Sequence, residues 1–484
     1  MPESTLAQRL ACFAVSNTYE ALPPDVVRSV RMRVLDVLGI CVAASSLDTS
    51  ASARAFVAAQ GGTPQATGVG MGRRVPAAQA AFINGVLAHS LDYDDTHLPS
   101  ILHPSASVVP AALAAAEEVG ADGTALIAAI ACGLEVCVRL GMAGYDVDAG
   151  NSTFFEHGQH ATSICGALGG AVAAGLLYGF DEAALTNVLG VSGSMASGII
   201  EANRTGGTVK RMHCGWAAHA AVSAAQLVRH GFTGPPTVLE GRFGFFEAWL
   251  HGRFNAAAVT DQLGVAWEVP GIFFKPYPAN HFTHTAIDAA AALRRRGVDL
   301  EQIESIELGV AHPIVRTIGE PIEVKRAPET GYMAQFSGPY AVVAGLLGGG
   351  GLEVSLSDYT DELARDPRRR HLMELVTVVG DERCDEIFPH QFPSILRVRL
   401  RDGRELTEEA LVNRGGPQRP LTFEELATKF NDNVGGGVSR AAAQRLQTQC
   451  ARLEELDDVG HLLAALEDFV TSSPHQPPHE STSN

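Results

Sequence analysis

The sequence predicts a mainly α-helical protein with a second, smaller α+β domain. Helical periodicity of apolar residues runs through the first 270 positions, an alternating pattern typical of strands follows, and helical periodicity returns after Pro420. This order predicts a large all-helical domain formed by both chain ends, with a smaller α+β lid domain inserted between them. A length of 484 residues suits two large domains. We assign 1–269 and 411–470 to the helical domain, 270–410 to the α+β domain and 471–484 to a disordered tail.

The N-terminal helices are predicted from apolar residues that recur every three or four positions. We expect Asp25 to cap a helix whose apolar positions include Val26, Val30 and Val34. The segments 165–175 and 217–225 consist almost entirely of small residues, which lets helix backbones approach closely, so we place them at the centre of the bundle. Further helices are predicted near 5–20, 76–91, 105–119, 123–142, 160–178, 181–198 and 213–231.

The middle of the chain contains the predicted strands. Alternation of apolar and polar residues predicts a strand at 305–311 and a hairpin of 395–400 with 405–408 around an Asp-Gly turn. A third strand is predicted at 372–379 and a helix at 337–347. After Pro420, Thr422 and Glu425 form a capping-box pattern that opens one helix, and two more are predicted at 438–452 and 458–469.

Composition excludes several classes of function. The chain has 46% hydrophobic and 19% charged residues, as globular proteins do. A net charge of −18 repels nucleic acid and anionic lipid, so we predict neither as a partner. Five glycines break the longest uncharged apolar run, 164–180, which argues against a membrane span, and no secretory signal opens the chain. Eight scattered cysteines without a C-x-x-C pair predict reduced thiols in a cytoplasmic protein.

Lysine is rare, and its rarity is informative. Among 36 basic residues only Lys210, Lys275, Lys325 and Lys429 are lysines. Since a buried lysine can shift its pKa and exchange a proton, whereas arginine stays charged, we expect some of these lysines to act in chemistry. Lys429 lies on a predicted C-terminal helix away from other polar clusters, and we expect it to tolerate arginine.

Four polar clusters could carry chemistry. The first, 89–105, places three aspartates among histidines and ends in His103-Pro-Ser, and the second, 158–166, begins a small-residue helix. The third, 206–215, sets Lys210, Arg211 and His213 among glycines, and the fourth, 274–284, lies at the predicted domain boundary, where clefts form. No metal or nucleotide pattern accompanies them: His157 and His160 lack a third ligand, and Gly68–Gly72 lacks a βαβ context. Acids, bases and cations without a cofactor suit proton abstraction beside a carboxylate of a small polyanionic acid.

These clusters resemble the MmgE/PrpD family, which includes 2-methylcitrate dehydratase, cis-aconitate decarboxylase and iminodisuccinate epimerase. The resemblance rests on Asp92-Tyr-Asp-Asp-Thr96 with His103-Pro-Ser, on Lys210-Arg-Met-His213 and on Lys275-Pro-Tyr-Pro with Thr283-His284. Residues 335–340 are similar to a further family stretch, with Gln335 where lysine is usual. The resemblance implies homodimers and chemistry without metal or organic cofactor. It also places pocket residues at Asp92, Thr96, His103, His160, Lys210, Lys275 and His284.

We therefore predict a cofactor-independent lyase, a dehydratase or decarboxylase that acts on a small di- or tricarboxylic acid. His103 is the leading acid/base, oriented by the Asp92–Asp95 loop, and lysines meet charge that develops beside a carboxylate. One alternative is an epimerase in which Tyr145 supplies a second acid/base group, and another is a binding protein without catalysis. The predicted catalytic residues are His103, Lys210, Asp92 and His160, and the predicted substrate-binding residues are Thr96, Arg211, His213, Lys275, Tyr277, His281 and His284.

Overall fold

A computed structural model describes residues 4–202, 207–467 and 469. The predicted tail at 471–484 and Gly206 of the third cluster lie outside the described residues. The longer helices of the N-terminal part are Leu6–Ser16, Pro24–Ala44, Asp48–Gln60, Ala77–Ala88, Ser105–Val119, Gly123–Ala143, Ala161–Leu177, Glu182–Met195 and Val209–Arg229. Later in the chain come His284–Arg295, Gly338–Leu347, Pro367–Glu374, Phe423–Val434, Arg440–Ala451 and Gly460–Glu467. The predicted fold class, mainly helical with a small α+β part, is confirmed.

Small residues bring the central helices into backbone contact. A Cβ atom added to Gly85 would lie 2.7 Å from the Cα of Gly215, so the helices Ala77–Ala88 and Val209–Arg229 cross with no room for a side chain. Gly133 and Gly169 bring together Gly123–Ala143 and Ala161–Leu177 in the same way, since a Cβ on Gly133 would lie 2.7 Å from the carbonyl oxygen of Gly169. The predicted central position of the small-residue helices is confirmed.

The C-terminal helices return to the N-terminal bundle. Phe423–Val434 packs on Pro24–Ala44, where the ring of Phe430 lies against the bare backbone of Gly39. The predicted capping box is present: the Thr422 side chain accepts from the backbone N–H of Glu425, and the Glu425 side chain accepts from that of Thr422. Both chain ends thus share one buried core. The domain bounds at 269, 410 and 470 stay predictions.

The α+β part is built on a four-stranded sheet. Its strands lie in the order Val376–Gly380, Ile303–Val310, Ser394–Leu400 and Glu405–Ala410, with the first pair parallel and the others antiparallel. One face packs on the helices His284–Arg295 and Gly338–Leu347 in a second buried core. The predicted strand at 372–379 was wrong over its first residues, because Asp366 and Pro367 begin a helix that continues to Glu374.

Two other local predictions need correction or addition. Asp25 does not cap its helix, which begins at Pro24; it lies in the first turn, where acidic side chains favour the helix dipole. The helix Asp48–Gln60 was not predicted, since its sequence has few large apolar residues and only two of its residues are buried. Among the described residues, the helix Gly123–Ala143 is long and apolar enough to cross a membrane, and 83% of its most apolar stretch is buried inside the structure.

Candidate active site

A cavity of about 290 Å³ lies between the helical part and the α+β part. The loop from Asp92 to His103 forms one wall, and residues near 280 and 390 form the other. Six of the predicted site residues line it: Asp92, Thr96, His103, Lys210, Lys275 and His281. Its remaining walls include Tyr145, Asn280 and the apolar side chains of Leu98, Ile101, Phe282, Phe388 and Phe392.

Two lysines hold Asp92 at the floor of this cavity. Lys275 Nζ donates to the backbone carbonyl of Asp92 at 2.9 Å and lies 3.5 Å from its Oδ1 atom, while Lys210 Nζ lies 3.9 Å from the same Oδ1. Burial by itself would raise the pKa of Asp92, but the charges of Lys275 and Lys210 outweigh it and lower the pKa. Asp92 has a φ of 51°, a left-handed conformation that costs free energy in a non-glycine residue, and the Lys275 contact helps to hold it.

A second layer of buried ion pairs supports the Asp92–Asp95 loop from below. Arg33 donates to Asp95 Oδ2 at 2.7 Å, and both side chains are at most 2% exposed. Lys429 pairs with Asp36 at 2.7 Å, donates to the carbonyl of Tyr93 at 3.1 Å and lies over the Tyr93 ring. Lys429 is therefore not remote from the polar clusters, although its position in the sequence suggested that it was. It is a fully buried cation that contacts the loop, so we no longer expect arginine to be tolerated there.

His103 is held in one tautomer. Its Nδ1 atom lies 2.6 Å from the backbone carbonyl of Asp95 and 3.3 Å from Thr96 Oγ1. Because a carbonyl oxygen only accepts, Nδ1 carries the proton and Nε2 keeps its lone pair, with no hydrogen-bond partner among the described residues. Burial is the main reason that the pKa of His103 falls to about 4, and the charge of Lys275 adds to it. At neutral pH the free imidazole is thus uncharged and can accept a proton.

Three more histidines form a layer behind His103. His89 binds Asp94 at 2.6 Å, and the ring of His160 lies 5.6 Å from His89 and pairs with His213, Nδ1 to Nδ1, at 2.9 Å. Burial lowers the pKa of His160 well below its usual value and that of His213 to about 4, so both rings are neutral, and one Nδ1 atom donates its proton to the other. His160 and His213 lie behind His103 but do not line the cavity. A role as a substrate ligand is therefore better assigned to His103 and His281.

His281 is a buried imidazole that faces the cavity. It is 5% exposed, and neither ring nitrogen has a hydrogen-bond partner in the described part of the chain. Buried polar atoms are nearly always paired, so an unpaired ring at a cavity wall points to a ligand that supplies the partner. His284 lies behind it, 4.9 Å between ring centroids, with Nε2 donating to the carbonyl of Ala279. His284 is fully buried away from the cavity and supports His281.

Besides His213 and His284, two further predicted ligands do not line the cavity. Tyr277 is fully buried and donates its hydroxyl to Asp288 at 2.5 Å, which makes it part of the packing between the two cores. The guanidinium of Arg211 lies over the ring of Tyr332 and donates to Thr49, in a neighbouring cleft. Arg211 follows Lys210 on a helix, and successive helical residues point about 100° apart, so the two neighbours face different spaces.

Comparison with known proteins identifies the family. The models of the MmgE/PrpD N-terminal domain and the MmgE/PrpD C-terminal domain match residues 8–257 and 277–455. The chain belongs to the MmgE/PrpD family. Cis-aconitate decarboxylase of Homo sapiens is 29% identical over 81% of this chain and 80% of its own length, and that of Mus musculus is 28% identical over 81% and 79%. The mitochondrial 2-methylcitrate dehydratase of Yarrowia lipolytica is 25% identical over 41% and 38%.

The MmgE/PrpD relatives carry the names of a decarboxylase and a dehydratase, which are both lyases. The prediction of a carbon–oxygen or carbon–carbon lyase of this family is confirmed at the level of the class. Within the described residues, the structure has no group of three histidine, cysteine or carboxylate side chains arranged to hold a metal ion.

Sequence reasoning missed the supports of the MmgE/PrpD site. Arg33 and Asp36 stand inside the apolar stripe of a predicted helix, where a charged residue must find a buried partner, and this pattern could have signalled their importance. The apolar wall formed by Phe282, Phe388 and Phe392 carried no comparable signal. Aromatic residues in strands and loops usually belong to a core, and only the packed structure turns these three toward a cavity.

Proposed function

We propose that this protein is a lyase that removes carbon dioxide from a small tricarboxylic acid. The observation that carries the proposal is the convergence of Lys210 and Lys275 on a cavity that also exposes the free Nε2 of His103 and the unpaired ring of His281. The two ammonium groups suit substrate carboxylates. The cavity volume of about 290 Å³ suits a small acid.

The substrate itself changes the charge of His103. In the free protein, burial and the nearby Lys275 keep this imidazole neutral. A bound tricarboxylate, which carries three negative charges, neutralises the lysines and adds negative charge to the cavity. This charge favours the protonated, imidazolium form of His103. His103 can then donate the Nε2 proton to carbon. The electrons of the broken carbon–carbon bond pass into the adjacent unsaturated system, a lysine stabilises the charge on the carboxylate, and the proton from His103 completes the product.

The apolar wall favours loss of carbon dioxide. A carboxylate placed near Phe282, Phe388 and Phe392 loses hydration, whereas neutral carbon dioxide loses little there. The relatives named cis-aconitate decarboxylase also match about four-fifths of this chain, while the 2-methylcitrate dehydratase matches 41%. Both observations support the proposal of decarboxylation over dehydration.

Dehydration is the second candidate, and the resting state of His103 favours it. A neutral imidazole with a free Nε2 can remove a proton from the carbon beside a carboxylate. An ammonium group of Lys210 or Lys275 would then protonate the departing hydroxyl. Epimerisation is the third candidate reaction, because the side chain of Tyr145 lines the same cavity. Burial raises the pKa of its phenol, so at neutral pH Tyr145 is protonated and can act as a proton donor.

One experiment separates the three reactions. The purified protein is incubated with cis-aconitate and with 2-methylcitrate in deuterated water, and products are identified by mass spectrometry. Decarboxylation releases carbon dioxide and leaves one deuterium on carbon. Dehydration releases water only, and epimerisation returns an isomer of the substrate that carries deuterium. Turnover of 2-methylcitrate alone would overturn the proposed decarboxylation, and binding of both acids without turnover would indicate a binding protein.

We also propose that the protein acts as a cytoplasmic homodimer without a metal, a nucleic-acid partner or a membrane. Support for metal independence comes from the lysines and histidines, which account for both charge binding and proton transfer. Turnover should survive exhaustive treatment with EDTA, and loss of activity that one metal restores would contradict this. Sedimentation velocity at micromolar concentration tests the dimer.

A further inference from the structure

A second cleft lies on the outer side of Lys210. Its volume is about 660 Å³, and it is lined by Gly207, Thr208, Lys210 and Arg211 from the helical part and by Thr317, Lys325, Tyr332 and Phe336 from the α+β part. Lys210 and Asn280 line both this cleft and the catalytic cavity. The two spaces are therefore neighbours separated by one layer of side chains.

The lining of this outer cleft is cationic. It contains Lys210, Arg211 and Lys325, and no aspartate or glutamate is among its described lining residues. Arg211 donates to Thr49 and lies 4.7 Å above the ring of Tyr332, and Lys325 donates to the carbonyl of Phe336 at 2.9 Å. Within the described residues, neither Arg211 nor Lys325 lies within ion-pair distance of a carboxylate.

The two cations of the outer cleft lack the carboxylate partners that many other cations of the described chain have. The net charge is −18, so carboxylates outnumber cations, and arginines on the α+β surface such as Arg294 and Arg397 each contact one or more of them. Burial also lowers the pKa of Lys325, so the group carries a cost that a nearby anion would remove. Two neighbouring cations left without carboxylates beside a cleft form a site that an anionic ligand can complete.

We propose that the outer cleft is a second binding site for small polycarboxylates, in which Arg211 and Lys325 contact the anion on the far side of Lys210. The proposal rests on the proposed function in one respect, namely that the catalytic cavity takes a ligand of the same chemistry. Since both sites use Lys210, two bound anions repel each other, and the outer site is the weaker of the two. An acid held there is one side chain away from the catalytic cavity, and the cations raise its local concentration.

The test is a calorimetric titration of the full-length protein with tricarballylate, a saturated tricarboxylate. This acid has neither a hydroxyl to lose as water nor a carbon–carbon double bond, so the proposed reactions do not consume it. We expect two anions to bind per chain. The double variant Arg211→Gln, Lys325→Gln should bind one, with the tighter site retained, and Lys275→Gln should lose the tighter site. Arg368→Gln removes an exposed cation that lines neither space, and it should still bind two.

Each outcome decides the proposal. A single site in the wild-type protein, or two sites that persist in the double variant, overturns it. Inorganic phosphate that fills the outer site as tightly as tricarballylate also overturns it, since the site would then select charge alone. The single variant Lys325→Arg is the conservative control for the double variant. It keeps a cation at this position, so it should still bind two anions. Two-site binding without turnover of any tested acid would refute the proposed lyase reaction and leave this inference standing.

Discussion

The two sides of the cavity that Asp92 and His103 line are built in different ways. The helical side carries Asp92, His103 and the lysines, and buried ion pairs hold its loop in a strained conformation. The α+β side presents Phe282 and Phe392, whose rings pack edge to face 4.7 Å apart. In the proposed reaction, charge binding and proton transfer therefore belong mainly to the helical side, where buried ion pairs fix the loop, whereas the aromatic side chains of the α+β side set the shape of the cavity and exclude water.

The largest effect is expected at His103. His103→Gln keeps the size and a hydrogen bond to the Asp95 carbonyl but removes the basic Nε2. Loss of a positioned acid/base group typically costs about 10²–10⁴ in rate. Turnover measured by mass spectrometry should fall by that factor, while the urea midpoint stays within experimental error. A variant with more than a tenth of wild-type turnover would move the acid/base role to another group.

Lys429 should control the stability of the helical side. Lys429→Met removes the partner of buried Asp36 and the donor to Tyr93, and breaking a buried pair costs about 3–5 kcal/mol. The matched change Arg397→Gln breaks two ion pairs on the sheet surface made by a side chain that is 43% exposed, and exposed pairs are worth about 1 kcal/mol or less. Urea unfolding of both variants measures the difference. Equal losses would show that the Asp36 pair does not support the loop.

Lys210→Arg should lower turnover by about 10²–10³ although the charge is kept, because the larger planar guanidinium approaches a carboxylate differently and does not release its proton. If Lys210 meets charge only in the transition state, KM should change little. Lys429 was the control suggested by the sequence, but its burial disqualifies it. Arg368→Lys, on an exposed residue outside both cavities, is a better one, and wild-type turnover in both variants would contradict the role of Lys210.

The neutral histidines should make stability depend on pH. The pKa values of His103 and His213 are lowered to about 4 and that of His284 to about 3, all below the ordinary 6.5. The unfolded chain therefore binds more protons below pH 6.5, so stability is complete above that pH and is lost as the pH falls toward 4. The raised pKa values of Asp95, about 6, and Glu135, about 7, oppose this trend, as do those of other buried carboxyls, so the pH dependence of the wild-type protein is a balance between the two sets of groups.

The quantity to measure is the change in the free energy of unfolding with pH. Each histidine that stays neutral contributes up to about 1.4 kcal/mol per pH unit in this window. Urea midpoints at pH 7.5 and pH 5 should differ in the wild-type protein and differ less in His213→Gln. The exposed His371→Gln should keep the wild-type slope. A difference between the two midpoints that is the same in His213→Gln as in the wild-type protein would contradict a lowered pKa for His213.

The smallest effect is expected on the α+β side. Phe282→Leu keeps an apolar side chain but removes part of the aromatic surface, and we expect kcat/KM to fall by roughly tenfold, the lower end of what a small change in an apolar pocket costs. The loss should appear with little change in the pH profile, because no titrating group is altered. A loss as large as that of His103→Gln would mean that this wall contributes more than shape, and the division between the two sides would fail.

Much of this site was accessible from the sequence because the residues that carry it are close together along the chain. Asp92, Thr96 and His103 fall within twelve positions, and Lys210 stands out through the rarity of lysine. Tyr277 and Arg211 show where that reasoning stops. They lie within two positions of residues that line the cavity, but helix rotation turns Arg211 away from it and a buried hydrogen bond to Asp288 turns Tyr277 away.

The sequence by itself determined the helical bundle with an α+β part and the polar clusters, since periodicity, capping and composition are local properties. Only the tertiary structure decided which members of those clusters meet. The tautomer of His103 depends on a carbonyl eight residues away, and the Asp92–Asp95 loop depends on Lys429, which is more than 330 residues distant. Contacts of that kind depend on how helices pack, because burial makes each unpaired charge costly and leaves few arrangements in which all of them are satisfied.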